Sequence, residues 1–239
     1  MTIVWIVVIV FLASLVQSLS GFGFALTVMP LFTFIVGLQT AAPTVALTAL
    51  IVYSINLVRY RRAIEVREVL RLGIASAFGV PLGIWVLTNM DETLVKQVMG
   101  SILIVYAAYV LARPTASWRP SRYWVYPAGF FAGCLSGAYN TPGPPVILYG
   151  SLRQWPRDEF RAVLQAIFFV NGALVVSSHV IAHRVNGEVL TFLLGAVPAL
   201  MAGILVGSRL DRLVDRTRFR IIVASLVGLM GLALTLGLG

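Results

Sequence analysis

The chain alternates long apolar stretches with short basic segments along all of its 239 residues. The apolar stretches cover residues 2–37, 41–58, 72–90, 97–112, 123–150, 162–182, 189–208 and 221–238. A helix needs about 20 residues to cross a bilayer, with a working range of about 17–25. Four stretches fit one crossing each, and 41–58 and 97–112 are short but plausible spans. The stretches 2–37 and 123–150 are too long for one crossing. We predict that each of these two enters and turns inside the membrane or crosses it twice.

The two long stretches are interrupted by the same kind of sequence. Residues 19–30 read LSGFGFALTVMP and residues 135–146 read LSGAYNTPGPPV, so each carries a Ser-Gly step followed by residues that break helices. Non-helical backbone is tolerated at membrane depth only where it is buried in protein or lines a cavity. Two such breaks at corresponding places in two halves of a chain point to the binding site of a transporter.

The two halves of the chain also repeat one another. The unit is one broken or re-entrant helical hairpin followed by three transmembrane helices, which predicts an all-α integral membrane fold. The repeats cover residues 1–112 and 123–239, and residues 113–122 form a cytoplasmic linker. Four short identities support this division: Ser20-Gly21 with Ser136-Gly137 (116 apart), Asn56 with Asn171 (115 apart), Glu68-Val69-Leu70 with Glu188-Val189-Leu190 and Gly83-Ile84 with Gly203-Ile204 (both 120 apart).

Composition excludes a soluble protein. Hydrophobic residues make up 59% of the chain and charged residues 11%, against about a quarter charged in a typical soluble domain. The net charge of +9 does not indicate a nucleic-acid partner, because the basic residues lie in short loops or at the ends of spans. The single cysteine, Cys134, excludes an intrachain disulfide and a multi-cysteine metal site.

The distribution of basic residues predicts the topology. If each hairpin starts and ends on one side, the loops 59–71, 113–122, 151–161 and 209–220 all lie on the same side and hold 16 basic residues. The opposite side holds only Lys96 and Arg184. Since basic loops stay in the cytoplasm, both termini should face outward. A hairpin that starts and ends on the same side, followed by three spans, gives an odd number of crossings in each repeat. The two repeats are therefore predicted to be inverted relative to the membrane.

The hairpin tips supply candidate ligand donors. Glycines at the first tip let the backbone approach a ligand, and the returning helix begins near Phe24 with its N–H groups and positive dipole end at the tip. At the second tip, Asn140 and Thr141 precede Pro142, which is favoured at a helix start. The candidate substrate-binding residues of the two hairpins are Ser20, Gly21, Phe22, Gly23, Phe24, Ser136, Gly137, Tyr139, Asn140, Thr141 and Gly143.

Three amides within the spans are further candidates. Asn56 and Asn171 follow the two hairpins at equivalent places, and Gln165 lies about two turns from Asn171. Buried amides in membrane proteins either bridge helices or donate to substrate, and we favour bridging for these three. The hairpin glycines also have two explanations: they only allow close helix packing, or they contact the ligand. For the glycines we favour ligand contact. His179, near the external end of its span, is interpreted as a satisfied or water-exposed histidine rather than a proton relay.

Acidic residues are absent from the middle of every predicted span. All nine lie in loops or at span ends, so no carboxylate can bind a cation or relay protons at the bilayer centre. Neutral donors and helix N-termini suit a small anion instead. The sequence contains no nucleotide-binding motif, metal-ligand cluster or catalytic set, which argues against an enzyme and against a cofactor or metal.

The segments LSGFGFALTVMPLF (19–32), LSGAYNTPGPPVILYG (135–150) and GILVGSRL (203–210) resemble the sulfite exporter TauE/SafE family over essentially the whole chain. The resemblance implies a bacterial inner-membrane permease for a small, often sulfur-containing anion such as sulfite, sulfoacetate or a related organosulfonate. In that membrane, the distribution of basic residues predicts that both termini face the periplasm. It leaves the substrate, the direction of flux, the coupling ion and a homo-oligomeric state open. The alternatives are a non-transporting membrane assembly subunit and a membrane enzyme acting on a lipid or quinone.

Overall fold

Ten α-helices account for most of the described residues, and no strand occurs among them. The computed structural model describes residues 2–112, 120–210 and 216–237; most of the predicted linker, 113–119, lies outside this range, as do Asp211 and Asp215. The all-α prediction is confirmed for this part of the chain. The helices are α1 (Thr2–Ser20), α2 (Phe24–Val36), α3 (Leu38–Tyr60), α4 (Val66–Asn89), α5 (Glu92–Ala112), α6 (Val125–Tyr139), α7 (Gly143–Leu152), α8 (Arg157–Ile181), α9 (Gly187–Leu210) and α10 (Arg216–Thr235).

Six of these helices are long and apolar enough to cross a membrane. They are α1, α3 with its 3-10 continuation to Ala63, α4, α5, α8 and α9. Their outward surfaces are apolar as well: Phe78, Trp85 and Leu194 are 72%, 57% and 73% exposed. Such residues on the outside of a helical protein are compatible with a lipid environment and unfavourable in water. The chain is therefore a multi-pass membrane protein.

Both overlong stretches break where the sequence places their glycines and prolines. The first divides into α1 and α2, with residues 21–23 between them, and the second into α6 and α7, with residues 140–142 between them. The second pair is short, since α6 has 15 residues and α7 has 10. Each predicted broken hairpin is thus two helices joined by a three-residue link.

The helices form two compact units that do not follow the two halves of the sequence. One unit contains α1, α2, the first part of α3, α5, α9 and α10. The other contains the rest of α3, α4 and α6 to α8. Each unit therefore draws helices from both predicted repeats.

Within each unit, the first helix of a hairpin packs closely against a glycine-bearing helix from the other half of the sequence. In the second unit, a Cβ placed on Gly79 of α4 would lie 2.1 Å from the carbonyl oxygen of Phe130 in α6. In the first unit, a Cβ on Gly203 of α9 would lie 2.5 Å from the carbonyl oxygen of Phe11 in α1. Small residues allow this approach, as is common between membrane helices.

Candidate functional site

The first hairpin turns on two glycines with positive φ. Gly21 follows the last residue of α1 at φ 85°, and Gly23 precedes α2 at φ 106°. A side chain at either position would be strained, because only glycine adopts this region readily. A Cβ on Gly23 would also lie 3.1 Å from the Val16 side chain. The Gly-Phe-Gly spacing of the sequence is therefore required by the turn.

A glutamine side chain closes this turn. The Gln17 Oε1 accepts the backbone N–H of Phe24 at 3.0 Å, and its Nε2 donates to the carbonyl of Gly21 at 3.4 Å. Gln17 is 1% exposed. The sequence interpretation left all the first N–H groups of α2 free at the tip, but that of Phe24 is already engaged.

Two further N–H groups at the start of α2 precede the first hydrogen bond within the helix. The first i to i−4 bond of the helix runs from Thr27 to the Gly23 carbonyl at 3.0 Å. The N–H groups of Ala25 and Leu26 precede it, as the first groups of any helix do. They and the positive end of the helix dipole are what this hairpin offers an anion.

The Ser20 hydroxyl is committed to the backbone of the turn. It donates to the Val16 carbonyl at 2.7 Å, accepts the N–H of Phe22 at 3.3 Å, and also bonds the Phe22 carbonyl. The Phe22 ring packs edge-on against Tyr106 of α5, with 6.5 Å between centroids. Of the predicted site residues, Ser20 and Phe22 therefore have evident structural roles.

The second hairpin ends α6 with a left-handed residue. Asn140 has φ 56°, and its N–H bonds the Ser136 carbonyl at 2.8 Å. The N–H of Thr141 reaches back to the Leu135 carbonyl at 3.2 Å. The bond from Asn140 to the carbonyl four residues before it is that of the αL C-cap motif, in which asparagine is the usual substitute for glycine. Asn140 and Thr141 are 5% and 4% exposed, so both polar side chains are held inside the protein.

The helix that follows offers few backbone donors. α7 begins at Gly143, and the next two residues, Pro144 and Pro145, have no N–H. In its first three positions only Gly143 can donate. An anion at this tip would therefore depend on the side chains of Asn140, Thr141 and Tyr139 more than on a helix N-terminus. The expectation based on helix dipoles did not take the missing N–H groups of the prolines into account.

The two hairpin tips have the same local design at a spacing of 119 residues. Gly21 corresponds to Asn140 as the left-handed residue after the first helix, and Phe24 corresponds to Gly143 as the first residue of the second helix. The sequence match of Ser20-Gly21 with Ser136-Gly137 is displaced from this by three residues, just under one helical turn.

The three amides within the spans have different surroundings. Asn56 donates from Nδ2 to the Val52 carbonyl of its own helix at 3.0 Å. Asn171 accepts a hydrogen bond from the Ser76 hydroxyl at 2.6 Å, which joins α8 to α4. Gln165 is 0% exposed in α8. The favoured bridging role is thus observed for Asn171 and not for Asn56.

Phe168 of α8 connects the second tip with these amides. A Cβ on Gly143 would lie 3.6 Å from its ring, and its ring centroid is 5.1 Å from that of Tyr53. Gln165 and Asn171 each lie three residues from Phe168, on the same side of the helix. The second unit therefore gathers Asn56, Gln165, Asn171, Ser136, Gly137, Tyr139, Asn140, Thr141 and Gly143, while the first unit holds Ser20, Gly21, Phe22, Gly23 and Phe24.

The structure corrects the interpretation of His179. It is not water-exposed, since it is 2% exposed, and its Nε2 has no hydrogen-bond partner among the described residues. The acids agree better with expectation. Glu68, Glu92, Asp158, Glu159 and Glu188 all lie in the first turn of a helix.

Within the described residues, six membrane-length helices and two helical hairpins, each broken by a three-residue link, define a multi-pass membrane protein. The family model for the sulfite exporter TauE/SafE matches residues 6–234. The chain therefore belongs to this family, whose members are transporters and not enzymes.

Comparison with curated proteins gives one distant relative, a probable sulfite/organosulfonate exporter TauE of Cupriavidus necator. The two chains are 24% identical over 200 residues, and this region covers 81% of this chain and 78% of the relative. No solved structure matches the chain.

Proposed function

We propose that this protein is a secondary transporter that moves a small sulfur-containing anion, such as sulfite, sulfoacetate or a related organosulfonate, across the bacterial inner membrane. The observation that carries the proposal is the pair of broken hairpins with matching tips, in a chain that belongs to the sulfite exporter TauE/SafE family. The relative from Cupriavidus necator, named for sulfite and organosulfonate export, supports the substrate class.

The chemistry of the tips favours an anion that is bound weakly enough to be released. The donors there are backbone N–H groups of Ala25, Leu26 and Gly143 and the neutral side chains of Asn140 and Thr141. No Arg or Lys lies between residues 3 and 58 or between 123 and 152. Several partial charges can hold an oxyanion without the strong attraction of a fixed guanidinium, which suits turnover.

The proposed mechanism is alternating access, with the broken hairpins supplying the groups that bind the anion. Support comes from the sequence: the 16-to-2 distribution of basic residues predicts inverted repeats with both termini in the periplasm. Inverted repeats with discontinuous helices at their binding site are a common plan of secondary transporters. The exchange of helices between the halves of the chain within each unit agrees with two related repeats.

Transport in liposomes tests the proposal directly. Purified protein should take up labelled sulfite, sulfoacetate or thiosulfate faster than protein-free liposomes, and uptake should saturate. A monodisperse, folded protein that moves none of the three anions would contradict the proposal and favour a membrane assembly subunit instead.

A further inference from the structure

The α4–α8 interface of the second unit contains a buried side-chain amide, that of Asn171, whose oxygen has a hydrogen-bond partner and whose nitrogen has none among the described residues. The Ser76 hydroxyl donates to the Asn171 Oδ1 at 2.6 Å, and both residues are 0% exposed. The Asn171 Nδ2 has no hydrogen-bond partner among the described residues. A carboxamide carries two N–H donors on that nitrogen, so both are unused in a completely buried position.

An unpaired buried donor is unfavourable, because it has lost its water without gaining a protein partner. In a membrane interface the usual solution is a bond to a carbonyl of the same helix. Asn56, which matches Asn171 in the sequence repeat, has that solution, since its Nδ2 bonds the Val52 carbonyl. Asn171 does not, since its Nδ2 has no hydrogen-bond partner among the described residues.

The second asparagine is on the helix that contacts the second hairpin tip. It lies three residues from Phe168, and a Cβ on Gly143 at the start of α7 would lie 3.6 Å from the Phe168 ring. In the sequence repeat, the position of Ser76 is occupied by Ala196 in α9, which has no hydroxyl. The pairing of a serine with this asparagine therefore has no counterpart at the repeat-equivalent position of α9.

We propose that Ser76 is a positioning residue that holds the Asn171 carboxamide with its N–H groups directed at the transported oxyanion. This inference rests on the proposed function and adds a specific donor to the site. The oxygens of a sulfonate or of fully ionised sulfite are hydrogen-bond acceptors only, so they complement an amide nitrogen presented in this way and would pair with neither Oδ1 nor a carboxylate.

The alternative is that Ser76 and Asn171 only join two helices, and paired variants separate the two roles. The double variant Ser76→Ala, Asn171→Leu replaces both polar groups with apolar ones of similar size, which is often nearly neutral for folding. We expect it to remain folded and to show a KM for sulfite raised about tenfold to hundredfold, the loss of one or two hydrogen bonds to a charged ligand. A purely structural pair would leave the KM of the folded double variant at the wild-type value, and that result would overturn the inference.

Single variants test whether Ser76 acts through Asn171. Ser76→Ala should raise the KM severalfold while the maximal rate changes little, and it should lower the unfolding temperature because the buried Asn171 Oδ1 loses its donor. In the Asn171→Leu background it should have no further effect on the KM, because contacting residues in one network are not additive. Additive effects would show that Ser76 acts independently of Asn171 and would contradict its positioning role.

A binding measurement distinguishes failure of this inference from failure of the proposed function. Sodium sulfite should raise the unfolding temperature of the detergent-purified wild type above that in sodium chloride of equal ionic strength. The double variant should lose this rise. If the wild type neither binds nor moves sulfite, sulfoacetate or thiosulfate, the proposed function and this inference both fail. If the wild type binds sulfite and the double variant binds it equally well, only the inference fails.

Discussion

The side-chain oxygen of Gln17 accepts the backbone N–H of Phe24 at 3.0 Å, so one residue of α1 caps the helix that follows it. The same amide donates to the Gly21 carbonyl. Gln17 thereby bonds two backbone groups at the break in the hairpin. A turn inside an apolar environment benefits from such a residue, since unsatisfied backbone groups are costly there.

Replacing Gln17 with alanine should therefore loosen the first tip. Two hydrogen bonds are lost, each with a net contribution of about 0.5–1.5 kcal/mol, so the unfolding temperature and the rate of sulfite uptake should both fall. Gln97→Ala is the matched control, because Gln97 is exposed in α5. Unchanged transport and stability in Gln17→Ala would show that the turn does not need its cap.

Asn140 allows its backbone and side-chain roles to be separated. Asn140→Gly keeps the left-handed conformation and removes the amide, whereas Asn140→Ala removes the amide and adds backbone strain of about 1–2 kcal/mol. We expect the alanine variant alone to lose thermal stability, and both variants to show a higher KM for the transported anion. Normal transport by a stable Asn140→Gly protein would mean that the asparagine only forms the turn.

We expect that no carboxylate couples transport to an ion, and replacing Glu68 is the most severe test of this expectation. It is 9% exposed, accepts a hydrogen bond from the Tyr149 hydroxyl at 3.3 Å, and lies 3.7 Å from Arg71. Glu68→Gln keeps an acceptor for the tyrosine, so flux in liposomes should remain substantial even if stability falls. Glu92→Gln, at an exposed helix start, serves as control. Complete loss of flux in a folded Glu68→Gln protein would reveal a coupling role.

The glycines between α4 and α6 should tolerate no larger side chain. A Cβ on Gly83 would lie 2.1 Å from the Cys134 carbonyl oxygen, which belongs to the backbone and cannot move aside easily. Gly83→Val should therefore sharply reduce the yield of monodisperse protein in size-exclusion chromatography. Gly187→Ala should not, since nothing lies within 4 Å of its added Cβ. Equal yields would contradict the close packing of these helices.

The predicted topology can be tested with single cysteines. In a Cys134→Ala background, which should itself transport normally, Thr2→Cys and Leu236→Cys place one thiol near each end of the described chain. Both should react with a membrane-impermeant maleimide in intact spheroplasts. Labelling of the residue 236 thiol only after lysis would place that end in the cytoplasm and remove the argument for inverted repeats.

Much of the fold could be predicted because it depends on length and hydropathy. Each predicted stretch corresponds to one helix or one broken pair, and the breaks fall at Gly21 to Gly23 and before Gly143. The alignment of the halves was less accurate. Identical Ser-Gly steps suggested that Gly21 matches Gly137, whereas backbone conformation matches it with Asn140, because asparagine and glycine are alternative left-handed residues.

The partners of the candidate site residues could not be predicted from the sequence. Ser76 looked like one more small residue in α4, spaced with Gly79 and Gly83 along one helix face, and only the packing of α4 on α8 shows that it bonds Asn171. Contacts between distant segments depend on which helices become neighbours. The pairing of α4 with α6 and of α1 with α9 crosses the boundary between the halves, so hydropathy within one half carries no information about it.

This pairing has a consequence for how the protein is made. Helices leave the ribosome in chain order, so α1 is synthesised long before its partner α9, Gly187–Leu210. Until then Ser14 and Ser18 lack Gly203 and Gly207, against which they lie in the finished protein. The N-terminal half therefore cannot complete its packing by itself, because α1 waits for a helix from the second half of the chain.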